Sequence, residues 1–265
     1  MTQLELRGGN CSVIKNGIVM GGANTCLNAI VVRAWASQPK VTEHRALVTF
    51  AVGTSVEAVV FQWLKDAGKN VKSDVHMEEE ITEHVKMSGH ADSVEKLEDG
   101  SYLVYEFKTV SSTSVAKKVF KERHYKPDNL AQLVGYMVTA EAEQGKLVYT
   151  STIYTTEKGR GEEFKVAAGD QAIFDVRITP TGEILVDNEP APFCVEDVLR
   201  FRDVAARVIE RQVIGSEPPT GWDGNFFSPC KDCWLQEHCE AFKEHGDTDL
   251  FFENVNKHLD RVGRR

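Results

Sequence analysis

A mixed α/β domain with a small appended C-terminal module is the fold class that the sequence predicts, on three observations. Apolar residues recur with helical period in several stretches. Between those stretches the period drops to two, in runs bounded by turn residues. A Gly/Pro-rich connector, 215–229, then separates these elements from three closely spaced cysteines. With 265 residues, 42% of them hydrophobic and 27% charged, the chain can build a core, which excludes disordered, collagen-like and disulfide-scaffold classes.

In order, residues 1–25 are rich in glycine and read as strand and loop. Leu27, Ile30, Val31 and Ala34 suit a helix from Cys26 to about Trp35, which Pro39 stops. Residues 53–67 read as a buried helix ended by Gly68. Residues 74–94 and 101–109 read as strands joined by the turn Glu98-Asp99-Gly100-Ser101. A basic helix is expected over 115–125, and Pro127-Asp128 opens another running to about Glu143. Residues 146–155 and 164–187 are strand-like, with a turn at Pro180-Thr181-Gly182. Residues 195–213 form the clearest amphipathic helix. Residues 156–227 carry no chemical motif. Two regions follow: 1–227 as core and 228–265 as C-terminal segment.

Net charge is −9, so any nucleic-acid contact must come from a local basic surface. No apolar run approaches the roughly 20 residues of a membrane span, and the N-terminus lacks a basic head followed by an apolar stretch. A cytoplasmic location without membrane contact is therefore expected, and in a reducing compartment clustered thiols point to metal or redox chemistry.

The chemistry concentrates in Gly89-His90-Ala91-Asp92 and Tyr102-Leu103-Val104-Tyr105-Glu106-Phe107-Lys108-Thr109. Residues two apart in a strand share a face, so Glu106 and Lys108 point the same way in a strand otherwise rich in buried-type residues. Buried charge must be paired or metal-bound. A hairpin can fold Asp92 beside Glu106, and two adjacent carboxylates make a hard site for a divalent cation. A lysine one pleat away can orient or deprotonate a water, or stabilise a charged phosphoryl transition state. Together these are tools for metal-assisted phosphodiester hydrolysis.

This hairpin resembles the core of the PD-(D/E)XK nuclease superfamily. The resemblance implies a restriction-endonuclease-like α/β core, with a mixed central sheet flanked by helices and a cysteine-ligated module behind it. Gln132 and Tyr136 match the Gln-x-x-x-Tyr motif of the RecB-like branch and share a helix face. By resemblance they help hold the attacking water and the DNA backbone. Gly53-Thr54-Ser55-Val56-Glu57 resembles that branch's first motif, with Glu57 where a histidine usually stands. The resemblance thus implies catalytic Asp92, Glu106, Lys108, Gln132 and Tyr136, and Mg²⁺ or Mn²⁺ held by Glu57, Asp92 and Glu106. Imidazole favours softer metals, so the departure at Glu57 bears on the choice between the two.

Cys230, Cys233 and Cys239 form a Cys-x₂-Cys-x₅-Cys run. Three thiols need a fourth ligand to hold a zinc ion or a cluster, and Cys26, Cys11, Cys194, His238 and His245 are the candidates. The run resembles that of iron–sulfur nucleases of the AddB and CRISPR-adaptation type, which place one cysteine before the nuclease core. That resemblance implies a 4Fe-4S cluster on Cys26, Cys230, Cys233 and Cys239, with Zn²⁺ as the alternative. Cys194 is expected as a buried small apolar residue.

Lys117, Lys118, Lys121, Arg123 and Lys126 cluster against a single acid, Glu122. They can bring DNA phosphates to the metal, with Phe120 and Tyr125 stacking on unpaired bases. The resemblance implies a DNA exonuclease acting on single-stranded ends, 5′ to 3′ favoured, in recombination, repair, replication or spacer acquisition. No helicase motif is present, so unwinding would need a helicase or recombination partner. A non-catalytic or partner-dependent DNA-binding protein with a structural metal site stays open as the alternative.

Overall fold

The structure is a computed structural model and describes residues 13–14, 17–19, 44–82, 86–158, 163–211, 253–254 and 257. The chain divides into two compact units. One comprises Arg45–Met77 and His90–Val195, the other Met1–His44, Glu78–Gly89 and Glu196–Arg265.

The first unit is a mixed sheet with a helix on each face. Helix α1 spans His44–Asp66 and strands β3 and β4 span Val71–Glu80 and Lys86–Lys96. Strand β5 is Tyr102–Val110. A short helix α2, Thr113–Ala116, runs into a π-turn, Lys117–Lys121, and helix α3 is Pro127–Thr139. Strand β6 is Gln144–Ser151, followed by β7 and β8 at Thr155–Lys158 and Glu163–Val166. Strands β9, β10 and β11 are Gln171–Ile178, Ile184–Val186 and Glu189–Pro190.

β5 pairs antiparallel with β4, Ser93 opposite Tyr105, and parallel with β6, Glu106 opposite Leu147 and Lys108 opposite Tyr149. β6, β9, β10 and β11 continue antiparallel, and β7–β8 is a separate hairpin. The β10–β11 turn places Asp187 and Asn188 at positive φ, the twist a two-residue hairpin needs.

Alternation along β5 assigns its two faces. Leu103, Tyr105 and Phe107 pack with Val148 and with Val56, Val60, Phe61 and Leu64 of α1. The face of Val104, Glu106 and Lys108 meets α3, which buries Leu130, Leu133, Val134, Tyr136 and Met137. Contact there is close because Gly145, opposite Val104, has no side chain: a Cβ would stand 2.6 Å from Met137 Sδ.

In the second unit, β1 and β2 (Val13–Ile14 and Gly17–Val19) pair antiparallel, and β2 runs parallel to residues 86–88 of β4. Lys86 pairs with Glu78 at 2.9 Å and Glu80 at 3.4 Å. Helix α4, Val195–Arg211, places the buried Arg202 guanidinium 2.8 Å from Glu79. Among the described residues no helix is long and apolar enough to cross a membrane.

Several element boundaries differ from the sequence expectation, each for a local reason. α1 starts nine residues before Gly53, where a Cβ would meet nothing within 4 Å among the described residues and which the helix simply carries, while the Ser55 hydroxyl donates to Ala51 O at 2.7 Å instead of capping. The single strand expected over 74–94 is two strands. The basic segment has only one α-turn, capped by the Ser112 hydroxyl on Val115 N–H, before it widens into the π-turn. α3 stops at Thr139 and not near Glu143, because Glu141 adopts φ +52° and Ala142 N–H closes back on Met137 O at 2.8 Å. The run 164–187 breaks at two glycine turns, Gly169 and Gly182, both at positive φ. The expected helix 26–35, the connector and the cysteine run lie outside the described residues.

Candidate active site

The β4–β5 hairpin forms where its turn chemistry demands. Asp99 Oδ1 accepts from Ser101 N–H at 2.9 Å and from its hydroxyl at 2.6 Å, while Gly100 takes φ +89°. The antiparallel register carries Asp92 to the face of Glu106, and Asp92 Oδ2 accepts the Phe107 N–H at 2.6 Å. Glu106 is completely buried, and Lys108 Nζ donates to its Oε1. Among the described residues its other oxygen, Oε2, has no hydrogen-bond partner. A buried carboxylate oxygen left unpartnered costs roughly 1–3 kcal/mol or more, so this atom marks where a cation or a proton is wanted.

The surrounding charges agree. Burial, then the charge of Asp92, raises the Glu106 carboxyl from 4.5 to about 8. Burial and Asp92 raise Glu57, on α1, from 4.5 to about 7. Burial also raises Asp92 above the usual carboxylate range, against the opposing pull of Lys108. Burial alone would lower Lys108, but the carboxylates of Glu106 and Asp92 outweigh it and hold the ammonium up at about 12. Three acids are crowded around one ammonium, and the deficit is one of positive charge.

Helix α3 closes this arrangement. Lys108 Nζ donates to Gln132 Oε1 at 3.1 Å, and Gln132 Nε2 donates to the Tyr136 hydroxyl at 3.4 Å. The His90 backbone also bonds to that hydroxyl, while burial and the charge of Glu106 push the Tyr136 phenol well above its ordinary value. The structure thus gathers Glu57, Asp92, Glu106, Lys108, Gln132 and Tyr136 into one electrostatically coupled group. Among the described residues, no three His, Cys, Asp or Glu side chains already converge as a ligand set: Asp92 and Glu106 each give an oxygen to a protein donor. The donors nevertheless suit a hard divalent cation, which Glu106 Oε2 and the raised carboxyls would accept in place of protons.

Other members were not anticipated. The Tyr149 hydroxyl accepts from Lys126 N–H and Asn129 Nδ2, both at 2.9 Å, and Tyr149 stands opposite Lys108 in the sheet register. Asp74, at φ +51° within β3, adds negative potential to Glu57 and Asp92. Its left-handed backbone has no sequence signal. The exposed His76 and His90 rings meet at a tilt, with centroids 4.9 Å apart.

The basic segment divides. Lys121 is exposed; Lys117, Lys118, Phe120 and Lys126 are half-buried. Burial lowers the Lys126 ammonium. Arg123, exposed, is also tied to the protein: it bonds Asp187 at 2.6 Å and Ile173 O at 2.7 Å, over the Phe174 ring. Tyr125 packs edge-on against Phe174. Cys26, Cys11, Cys230, Cys233, Cys239, His238 and His245 lie outside the described residues, and Cys194 is half-buried.

No family model and no curated protein matches the chain. Among solved structures, the chain is similar to the crystal structure of SSO0001, with TM-score 0.49 and 18% identity over 86% of this chain and 87% of that one. It is also similar to LHK-Exo in complex with dAMP, with TM-score 0.44 and 10% identity over 70% of this chain and 78% of that one. A second structure of this alkaline exonuclease, from Laribacter hongkongensis, gives TM-score 0.39 and 10% identity over 59% of this chain and 79% of that one.

Proposed function

We propose that this chain is a divalent-metal-dependent nuclease that hydrolyses DNA phosphodiester bonds, with its centre at Asp92, Glu106 and Lys108. The observation that carries the reading is Glu106: fully buried, paired with Lys108 through one oxygen and, among the described residues, without a partner at the other. That oxygen is a ready ligand for a cation. Asp92 and Glu106 would hold Mg²⁺ or Mn²⁺, with Glu57 as the third acid. The bound cation supplies Lewis-acid polarisation of the scissile phosphate and neutralises its developing charge.

The protein's own groups divide the remaining work. Lys108 is held protonated by its carboxylate neighbours, so its role is to stabilise the phosphoryl transition state, and general-base duty falls elsewhere. Gln132 fixes the ammonium through Oε1 and hands orientation on to Tyr136. Exonuclease action on single-stranded ends, with 5′ to 3′ polarity and an unwinding partner, is part of the same proposal. So is a 4Fe-4S cluster on Cys26, Cys230, Cys233 and Cys239, with Zn²⁺ as the alternative, which the resemblance of the cysteine run to that of iron–sulfur nucleases implies.

The test is digestion of end-labelled single- and double-stranded DNA with Mg²⁺ or Mn²⁺. Wild type should shorten the single strand from one end. Asp92→Ala, Glu106→Ala and Lys108→Ala should each lose activity on the order of 10³-fold, equivalent to about 4 kcal/mol of transition-state stabilisation. A folded Glu106→Ala protein cutting at the wild-type rate overturns the assignment.

A further inference from the structure

Two segments leave the carboxyl end of the sheet where Lys108 stands, and a cavity of about 470 Å³ lies between them. The first runs from the end of β5 through α2 and the π-turn. It returns to the site at Lys126, whose N–H bonds the Tyr149 hydroxyl opposite Lys108. The second is the β7–β8 hairpin, which follows the parallel neighbour β6. Thr155 of β7 bonds Thr113 of α2 through their hydroxyls at 3.3 Å. Phe120 and Phe164 supply aromatic walls and Lys121 and Lys165 supply ammonium groups. Lys165 also lies 5.8 Å from the ring centre of Tyr154, which is 66% exposed. The lining acid, Asp170, turns one oxygen to Ala167 N–H at 2.7 Å.

We propose that this cavity holds one unpaired nucleotide of the DNA strand, its base against Phe120 and Phe164 and its phosphates on Lys121 and Lys165. The proposal rests on the nuclease reading for the identity of the strand. Aromatic rings beside cations are the chemistry that single-stranded nucleic acid selects, because every base has a π-face and every nucleotide a phosphate. A neutral apolar ligand has no use for two lysines, and a free phosphate has none for two phenylalanines. The parallel β5–β6 pair sends both walls from the sheet end that carries Lys108, so the cavity lies at the same end of the sheet as that centre.

The test uses the full chain and labelled single strands in which one abasic residue is walked inward from the end. Anisotropy without divalent metal reads binding, and digestion with Mn²⁺ reads cleavage. Wild type should show one sensitive register, where removing the base weakens binding roughly 5- to 100-fold. Phe120→Ala should bind intact DNA correspondingly more weakly and show no further loss at that register, while Phe120→Trp restores it. Lys165→Ala, at the cavity rim, should weaken all strands alike and serves if Phe120→Ala fails to fold. A flat abasic scan in wild type, or a register that persists in folded Phe120→Ala, overturns the pocket and leaves the nuclease reading standing. A sensitive register without metal-dependent cleavage upholds the pocket and overturns the nuclease reading.

Discussion

Replacing Glu106 by glutamine should uncouple stability from activity. The amide keeps the shape of the side chain but has no proton to lose. In wild type, folding raises this carboxyl from 4.5 to about 8, so the folded state retains a proton that the unfolded chain releases. The contribution to stability is therefore whole below about pH 4.5 and declines as pH rises to about 8. The gap is worth roughly 5 kcal/mol, on the order of 10 °C or more in melting temperature for a chain of this size. Melting in chelator from about pH 5 to about pH 8.5 should show wild type losing stability steeply, with Glu106→Gln much flatter. Glu57, raised to about 7, leaves the variant a smaller slope that ends nearer neutrality. Mn²⁺ or Mg²⁺ binds the ionised form, so it should raise the wild-type melting temperature more at about pH 8.5 than at about pH 6. It should do little for the variant, whose cleavage falls on the order of 10³-fold. Equal pH slopes in the two proteins would refute the claim that Glu106 folds as a protonated acid awaiting a cation.

Gln132→Ala and Tyr136→Phe should be milder than loss of a carboxylate, about 10- to 100-fold in kcat, because Gln132 positions Lys108 and Tyr136 positions Gln132 instead of contacting the metal; single-turnover cleavage measures this. Replacing Lys117, Lys118 and Lys121 together should flatten the salt dependence of single-strand binding by roughly 0.7 per lost phosphate contact, and an unchanged slope moves the DNA track elsewhere. Cys230→Ala, Cys233→Ala or Cys239→Ala should strip iron and visible absorbance and lower the melting temperature, whereas Cys194→Ala keeps full iron content. An iron-replete Cys26→Ala beside an iron-poor Cys11→Ala would transfer the fourth ligand to Cys11.

The hairpin was legible in the sequence because its information is local. A turn at Asp99-Gly100 and a period of two are enough to set Asp92 and Glu106 on one face. Gln132 and Tyr136 were legible too, since a four-residue spacing puts both on the same side of a helix. Tyr149 was not, because its place beside Lys108 comes from a parallel pairing of β5 with β6 that no turn announces. The ties of Arg123 were not legible for a similar reason: its segment is basic, but its partner Asp187 is 64 residues away. Gly53-Thr54-Ser55 looks like a helix start, and only the earlier residues, joined to it by continuous backbone bonding, show that α1 passes through.

Strand β5 is hydrogen-bonded to β6 from Leu103 to Val110 and to β4 from Tyr102 to Tyr105, and helices cover both its faces. The amides of Glu106 and Lys108 therefore belong to the class that exchanges with solvent only when the whole unit opens. Partial openings, such as release of the β7–β8 hairpin or fraying of β10–β11, leave the β5–β6 ladder in place. Chemistry placed on such a strand has no local melting of its own, so heat or denaturant should extinguish it in a single step with the fold of this unit.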